Sequence, residues 1–422
     1  MSASSQAQQL LREGRIAEGE RLYEQILQAS PDDVEALNVL ALAALRRQDR
    51  ARAIALLTRA VTAQPGDLYS RYHLGRAYDE SGDLARAVAD YEAALGMRDT
   101  FYTARLYLGS ALERSGDRAR ALREYVRALG TAQREGRWLD PGSTPGNLQP
   151  LVQRAVQLIR ETKRNLAGEV MSSLRAKFGE SELTRVARAL RVYLREEAPE
   201  YPDPRQRPTF FYFPDLPPSA YLDRKLFPWM EALEARATQI QAELARLLPS
   251  AVGRERVFLS EDVERVNLRG IGTAPSWNGY YFYRHGKRRE DNCAACPDTT
   301  AAIDVLPLCR VPQHGPEVLY SVFTPGTHLL RHRGVTNTRL VGHLPLIVPA
   351  DCALSVGGEE HVWREGRAVV FDDTYEHEAW NRSDRIRVVM IFDIWSPYLT
   401  EIEKVAVAEV IDRMSRIEPP DG

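Results

Sequence analysis

Cysteine is scarce in this chain: four in 422 residues, well short of a disulfide scaffold. Cys293 and Cys296 form a single CxxC with no second pair. A zinc site would need Cys309 or a histidine to complete four ligands, and ordinary reduced thiols are the expectation. An excess of charge of one sign is also missing. With 56 Lys and Arg against 58 Asp and Glu, the formal net charge is -2, which gives no global attraction for nucleic acid or an anionic membrane. No apolar run approaches the ~20 residues needed to span a bilayer. The opening residues, MSASSQAQQLLREGR, lack the basic-then-apolar layout of a secretory signal. These absences lead us to expect a cytoplasmic protein with neither nucleic acid nor membrane as its partner.

What remains is a folded, soluble composition, 44% apolar and 27% charged, in a chain long enough for two or three domains. Internal repetition comes first. Leu40, Leu74 and Leu108 are spaced by 34 residues, as are Ala53, Ala87 and Ala121. Tyr23, Leu57, Tyr91 and Tyr125 form a third column, Ala60, Ala94 and Ala128 a fourth, and Pro31 and Pro65 share the spacing. Small residues recur where two helices approach and large ones where the pair fills its groove. The period and pattern resemble tetratricopeptide repeats, with three fairly complete units over 33–130 and a partial one before them. Units that cannot bury an apolar face alone stack and leave a concave surface. That surface serves peptide or protein docking on one reading, and dimerisation or packing on the other. We expect a repeat superhelix over 1–135, a turn-rich linker (LDPGSTPGNLQP) with a helical extension over 136–200, and a further domain over 201–422. The extension reads as a cap on the superhelix and carries no chemistry.

The last domain changes texture. One amphipathic helix is predicted over 227–248, followed by short β-prone runs between turns: YYFYRHG, VLYSVFTPG, RLVGHLPLIVP, ALSVGG, GRAVVFDD and IRVVMIFDIW. Such a series suggests a closed or double-sheet β-structure such as a jelly roll. The overall expectation is thus an α + β multidomain chain, a helical solenoid followed by a double-stranded β-helix. Seven of the eight histidines lie at or after His285, within this domain. His332 and His377 are 45 residues apart, a separation that suits two metal ligands converging from opposite sheets. A non-haem iron site usually adds a carboxylate two residues after the first histidine, and here that residue is Gly334. Glu376 and Glu378 do not substitute, because strand alternation turns them to the face opposite His377. On the residues alone the site is incomplete. His343 is equally a buried sheet histidine. Arg387 is equally an ion-pair partner of Asp372 or Asp373.

The stretch 208–399 resembles the aspartyl/asparaginyl β-hydroxylases, beginning with PTFFYFPDLPP. It continues through YYFYRHGKRREDN, LYSVFTPGTHLLRHRGVTNTRLVGHLPLIVP and WREGRAVVFDDTYEHEAWNRSDRIRVVMIFDIWSP. That family has a two-histidine iron site in which glycine replaces the carboxylate. The resemblance implies Fe(II) on His332 and His377, and 2-oxoglutarate contacts from Ser321, His343 and Arg387, whose guanidinium would meet the distal carboxylate. It implies hydroxylation, with dioxygen, of an Asp- or Asn-like residue at Cβ in a peptide or protein, and release of succinate and carbon dioxide. Arg339 matches a substrate-side arginine whose companion is Val341 here. Trp277 matches a substrate-side tryptophan, and Arg269 matches a further arginine across an insertion. Trp277, Trp363, Trp380 and Trp395 also read as packing residues. The alternatives are a hydroxylase of a small or carrier-tethered molecule with repeats used for assembly, and a non-catalytic repeat scaffold.

Overall fold

The computed structural model describes residues 2–249, 255–257, 267–270 and 276–417. Its contacts divide the chain into two units, Met1–Thr162 and Lys163–Gly422.

In the first unit eight helices form four successive pairs: α1 (Ala3–Arg12) with α2 (Ile16–Ala29), α3 (Val34–Arg46) with α4 (Arg50–Ala63), α5 (Leu68–Ser81) with α6 (Leu84–Met97), and α7 (Tyr102–Arg114) with α8 (Arg118–Arg134). The repeat is written into the caps as well as the core. Asp33 and Asp67 begin α3 and α5, and Asp49, Asp83 and Asp117 begin α4, α6 and α8, each accepting an N–H of the first turn. The repeating Ala and Tyr columns are fully buried. Tyr91 and Tyr125 lie flat against Gly75 and Gly109, where an added Cβ would fall 2.8 and 2.6 Å from ring carbons. Glycine at those two helical positions is therefore a packing requirement.

The helical stretch 151–198, expected to cap the repeats as one piece, is divided. Within the helix Gln149–Phe178, Val152, Ala155 and Leu158 join the repeat core. Ala167, Val170, Met171 and Leu174, with Val186, Ala189 and Leu190 of the helix Thr184–Tyr193, pack instead with Phe211, Phe213, Trp395 and Val410. The helix predicted over 227–248 is broken into two, Met230–Glu234 and Ala237–Leu247, and is preceded by a turn at Arg224–Leu226. Beside the break, Glu234 accepts the Ala368 N–H and pairs with Arg224 and Arg367.

The second unit is built on two antiparallel sheets. Its strands are β1 (Glu255–Arg256), β2 (Leu268–Gly270), β3 (Trp277–Arg284), β4 (Lys287–Arg288), β5 (Val318–Phe323), β6 (Thr327–His332), β7 (Arg339–Ile347), β8 (Cys352–Val356), β9 (Glu359–Val362), β10 (Val369–Phe371), β11 (His377–Asn381) and β12 (Arg387–Trp395). The larger sheet runs β1-β3-β5-β12-β7-β10 with β4 beside β3, and the smaller runs β2-β6-β11-β8-β9. Period two sorts the larger sheet's side chains. Val318, Tyr320 and Val322 of β5, Leu340, Leu344 and Leu346 of β7, and Val388, Met390, Phe392 and Ile394 of β12 pack with the helical residues Met230, Ile240 and Leu244. The alternate residues of the same strands face the smaller sheet, where Phe323, Val341 and Val389 share a cluster with Leu329, Leu354 and Ala379. A cavity lies between these two layers.

Replacing Gly109 by Ala sets the ~1 kcal/mol helix-propensity gain of alanine against overpacking of about 1–3 kcal/mol on a ring with nowhere to go. We expect Gly109→Ala to lower the melting temperature of the repeat unit. Gly96→Ala, whose Cβ meets nothing within 4 Å, should leave it unchanged or raise it. Equal behaviour of the two variants in thermal denaturation would refute the packing role.

Candidate active site

Strand alternation decides which side chains enter the cavity. It encloses about 660 Å³, and its lining includes Ser321, His343 and Arg387 from the larger sheet and His332 and His377 from the smaller. The two histidines do not come from opposite sheets as expected. They stand on the adjacent strands β6 and β11, in register with each other, with ring centroids 4.0 Å apart. Hydrogen bonding within one sheet brings them together, and the opposite sheet supplies the polar groups facing them.

Each ring is oriented by its own backbone. His332 Nδ1 lies 2.8 Å from the Leu330 carbonyl and His377 Nδ1 lies 3.0 Å from the Tyr375 carbonyl. A carbonyl only accepts, so both Nδ1 atoms carry the proton and both Nε2 lone pairs remain available. Burial lowers the pKa of both rings, that of His377 to about 4, assisted by repulsion from His332. Two neutral imidazoles with fixed tautomers fit a divalent transition metal. Among the described residues no group of three His, Cys, Asp or Glu side chains is placed to hold a metal, so protein ligation here stops at the histidine pair. Glu376 and Glu378 pair with Arg331, and Glu378 also with His328, away from the cavity.

Gly334 is sterically required. A Cβ there would lie 2.1 Å from the Asp373 carboxylate carbon, so Asp373 fills the space in which a carboxylate of residue 334 would begin.

Across the cavity Arg387 is 1% exposed. Its Nη1 donates to the Ser321 carbonyl (3.3 Å) and Oγ (3.2 Å), and its guanidinium lies 3.8 Å from the Phe323 ring and 4.7 Å from that of Trp363. Its Nε has no partner. The ion-pair alternative is overturned, because both aspartates are engaged elsewhere. Asp372 accepts from Gln206 and Thr374, and Asp373 binds Arg339. Burial pulls the Arg387 pKa down to about 9. Ser321 Oγ accepts from Arg387 and from Trp277 Nε1 (2.9 Å), which leaves its own proton to donate. His343 is 5% exposed, its Nδ1 has no hydrogen-bond partner, and burial together with Arg387 holds its pKa well below the usual range. It is therefore not a core histidine satisfied within the sheet.

The remaining substrate-side candidates separate. Trp277 joins Ser321 at the Arg387 end of the cavity. Arg269 is exposed, pairs in register with His328, and is not brought to the cavity. Arg339 does line it, but is clasped by Asp373 (2.5 Å) and Asp393 (3.5 Å). Two cavity carboxylates, Glu317 and Asp393, were not singled out from the sequence, and Asp373 was considered there only as an ion-pair partner of Arg387. Alternation from Arg387 along β12 would have placed Asp393 on the cavity face, whereas no sequence signal marks Glu317.

The comparisons follow this geometry. Residues 234–397 match the family described as aspartyl/asparaginyl beta-hydroxylase, and residues 5–67 and 72–135 match tetratricopeptide repeats. The chain is therefore similar to that hydroxylase family over residues 234–397 and to tetratricopeptide repeats ahead of it. It is 36% identical over 178 residues to the ornithine lipid ester-linked acyl 2-hydroxylase of Rhizobium tropici, which covers 42% of this chain and 60% of that protein. It is 32% identical over 188 residues to human aspartyl/asparaginyl beta-hydroxylase, covering 42% of this chain and 24% of that protein. The matches thus span less than two thirds of these relatives. Among solved structures, one titled MamA AMB-1 is 26% identical, with a TM-score of 0.29, over 30% of this chain and 70% of that one. Among the described residues no helix is long and apolar enough to cross a membrane.

Two predictions follow from the packing and charge. Gly334→Ala should destabilise the second unit by about 1–3 kcal/mol, because the Cβ displaces a buried carboxylate. Unchanged urea unfolding of that unit would contradict it. Burial raises the Glu317 pKa to about 8. A carboxyl raised from its ordinary ~4.5 favours the fold while protonated, and that contribution is lost as pH rises through about 8. Glu317→Gln should therefore melt progressively higher than wild type between pH 5 and 9. Parallel melting curves would refute the assignment.

Proposed function

We propose that the second unit is an Fe(II)- and 2-oxoglutarate-dependent hydroxylase. One observation carries the reading: a buried guanidinium with an unpartnered Nε and, among the described residues, no carboxylate beside it, facing two neutral imidazoles across one cavity. Burying an uncompensated charge is costly, and an anionic co-substrate offsets that cost. His332 and His377 would hold the metal through Nε2. When bound, iron supplies dioxygen activation coupled to decarboxylation of 2-oxoglutarate, giving succinate, carbon dioxide and a hydroxylated C–H carbon. Arg387 binds and orients the distal carboxylate of 2-oxoglutarate, and Ser321 donates a further hydrogen bond to it. His343 would sit near the carboxylate of 2-oxoglutarate that chelates the metal. Asp373, with Oδ1 buried and unpartnered, can hold a water next to the histidines. Phe323, Leu354, Phe371 and Ala379 exclude bulk water.

The substrate reading divides on Arg339. Recognition of an Asp- or Asn-like residue in a peptide or protein would use Arg339 to grip the substrate, and its pairing with two aspartates leaves it no net charge to offer. This favours the second reading, a small or carrier-tethered molecule with an aliphatic body. Phe210, Val311, Val335 and Ile411 support it by making the outer cavity apolar. The Rhizobium relative, named for hydroxylating the acyl group of a lipid, lies in the same chemical class. The repeats would then recruit the carrier or a partner protein, and we place the protein in the cytoplasm. A non-catalytic scaffold would have no need to keep Arg387 buried and unpaired.

The test is anaerobic binding of Fe(II) and 2-oxoglutarate, followed by succinate release in air. We expect Arg387→Met to weaken 2-oxoglutarate binding by roughly ten- to a hundredfold, the worth of a charge-assisted contact of about 1.5–3 kcal/mol. His377→Ala should abolish iron-dependent succinate release. Absence of 2-oxoglutarate binding by the iron-loaded wild type would sink the enzyme reading.

A further inference from the structure

Arg387 occupies one end of the cavity and carboxylates gather at the other. Asp393 is 3% and Asp373 5% exposed, and Glu317 is only partly exposed. All three line the cavity. Each commits one oxygen to the protein. Asp373 uses Oδ2 for Arg339. Asp393 uses Oδ2 for both the Glu317 N–H (2.9 Å) and Arg339. Glu317 uses Oε1 for both the His285 N–H and the His285 ring, 3.1 Å away. Asp373 Oδ1 is buried with no partner at all.

Among the described residues the cations do not balance the two aspartates, and Glu317, its pKa raised by burial to about 8, adds a further charge above that pH. Arg339 is shared by the two aspartates. Arg284 at the rim is bound by Glu255. Burial lowers the pKa of His285 and His314, which leaves both rings neutral at pH 7, and His314 is engaged by Ser415 (2.6 Å). Spare carboxylate oxygens of this kind suit a cationic ligand. A metal ion is a poor occupant, since among the described residues no three such groups converge closely enough to hold one. An organic cation, larger and able to donate several hydrogen bonds, fits a spread set of acceptors. The walls beyond are apolar, formed by Phe210, Val311, Val335 and Ile411.

We propose that this end of the cavity is a subsite for a protonated amine carried on an aliphatic substrate, with Glu317, Asp373 and Asp393 as its acceptors. The assignment names the substrate class of the proposed hydroxylase and rests on that reading for what happens at the neighbouring carbon. The binding itself needs no turnover. An amine here lies at the opposite end of the cavity from Arg387, so co-substrate and substrate are held apart by charge.

The experiment uses the full chain and two probes of equal length, octylamine and octanol, titrated calorimetrically in low salt at pH 9, above the pKa of Glu317. We expect octylamine to bind at least tenfold more tightly than octanol. Glu317→Gln and Asp393→Asn should each weaken octylamine about tenfold or more while leaving octanol unchanged. The octanol arm also reports whether either variant has lost its fold. Octylamine binding no more tightly than octanol, or octylamine affinity unchanged in Glu317→Gln, would overturn the subsite. Failure of the hydroxylase reading shows elsewhere, as loss of 2-oxoglutarate binding with the amine preference intact.

Discussion

A guanidinium enclosed by two β-sheets, with no counter-ion among the described residues, is the constraint around which the second unit is arranged. Arg387 sits at the start of β12, and everything near it is chosen not to neutralise it. Phe323 and Trp363 offer ring faces, attracting the cation without ionising beside it. Ser321 offers a hydroxyl and a carbonyl. An aspartate in any of those positions would make a closed ion pair and cancel the demand for an anionic ligand. Asp393, on the same face of the same strand, is six residues further on, about 20 Å at the rise of a β-strand. Distance along one strand thus keeps opposite charges from collapsing onto each other.

The histidine pair follows a related logic with neutral groups. Both rings spend Nδ1 on a carbonyl within their own strand region, so tautomer and direction are set before any metal arrives. Burial holds them unprotonated. Gly334 completes the arrangement by what it lacks: its missing Cβ lets the Asp373 carboxylate approach from the turn before β11. The acid near the histidines therefore comes from a different part of the chain than the usual spacing of such sites would provide. That carboxylate is already tied to Arg339, an ion pair that offsets the cost of burying it.

Period and alternation, being local, were legible. The repeat spacing of 34 residues located the paired helices, and the same spacing contains the Asp caps and the Gly75 and Gly109 contacts. Six β-prone runs fell on β3, β5, β7, β8, β10 and β12. The strands carrying the histidines were harder to place, because THLLRH and HEAWN are polar and short. Their adjacency in one sheet depends on strand order, a tertiary property that alternation does not encode. Counter-ions are tertiary too, so the pairing of Arg339 with Asp373 and Asp393 and the isolation of Arg387 could not be read from neighbours in sequence. Arg269 was drawn in by motif matching, yet its neighbour Leu268 takes the buried face of β2 and turns the guanidinium outward.

The resulting cavity is polarised. Its Arg387 end attracts anions and repels ammonium groups. Its Glu317–Asp393 end does the reverse, and the neutral imidazoles lie within the same cavity. In a low-dielectric enclosure such a field acts strongly on where a charged ligand settles. A dicarboxylate placed at the acidic end would meet like charges, and an amine placed at the arginine end would meet an unscreened guanidinium. Two ligands of opposite charge are therefore sorted before either is oriented by hydrogen bonds. A substrate bearing a carboxylate would compete with 2-oxoglutarate for the cation end, whereas an amine-bearing one would not. The same polarity explains why Arg339 can persist in the substrate region without acting as an anion trap, since the acids around it outnumber it.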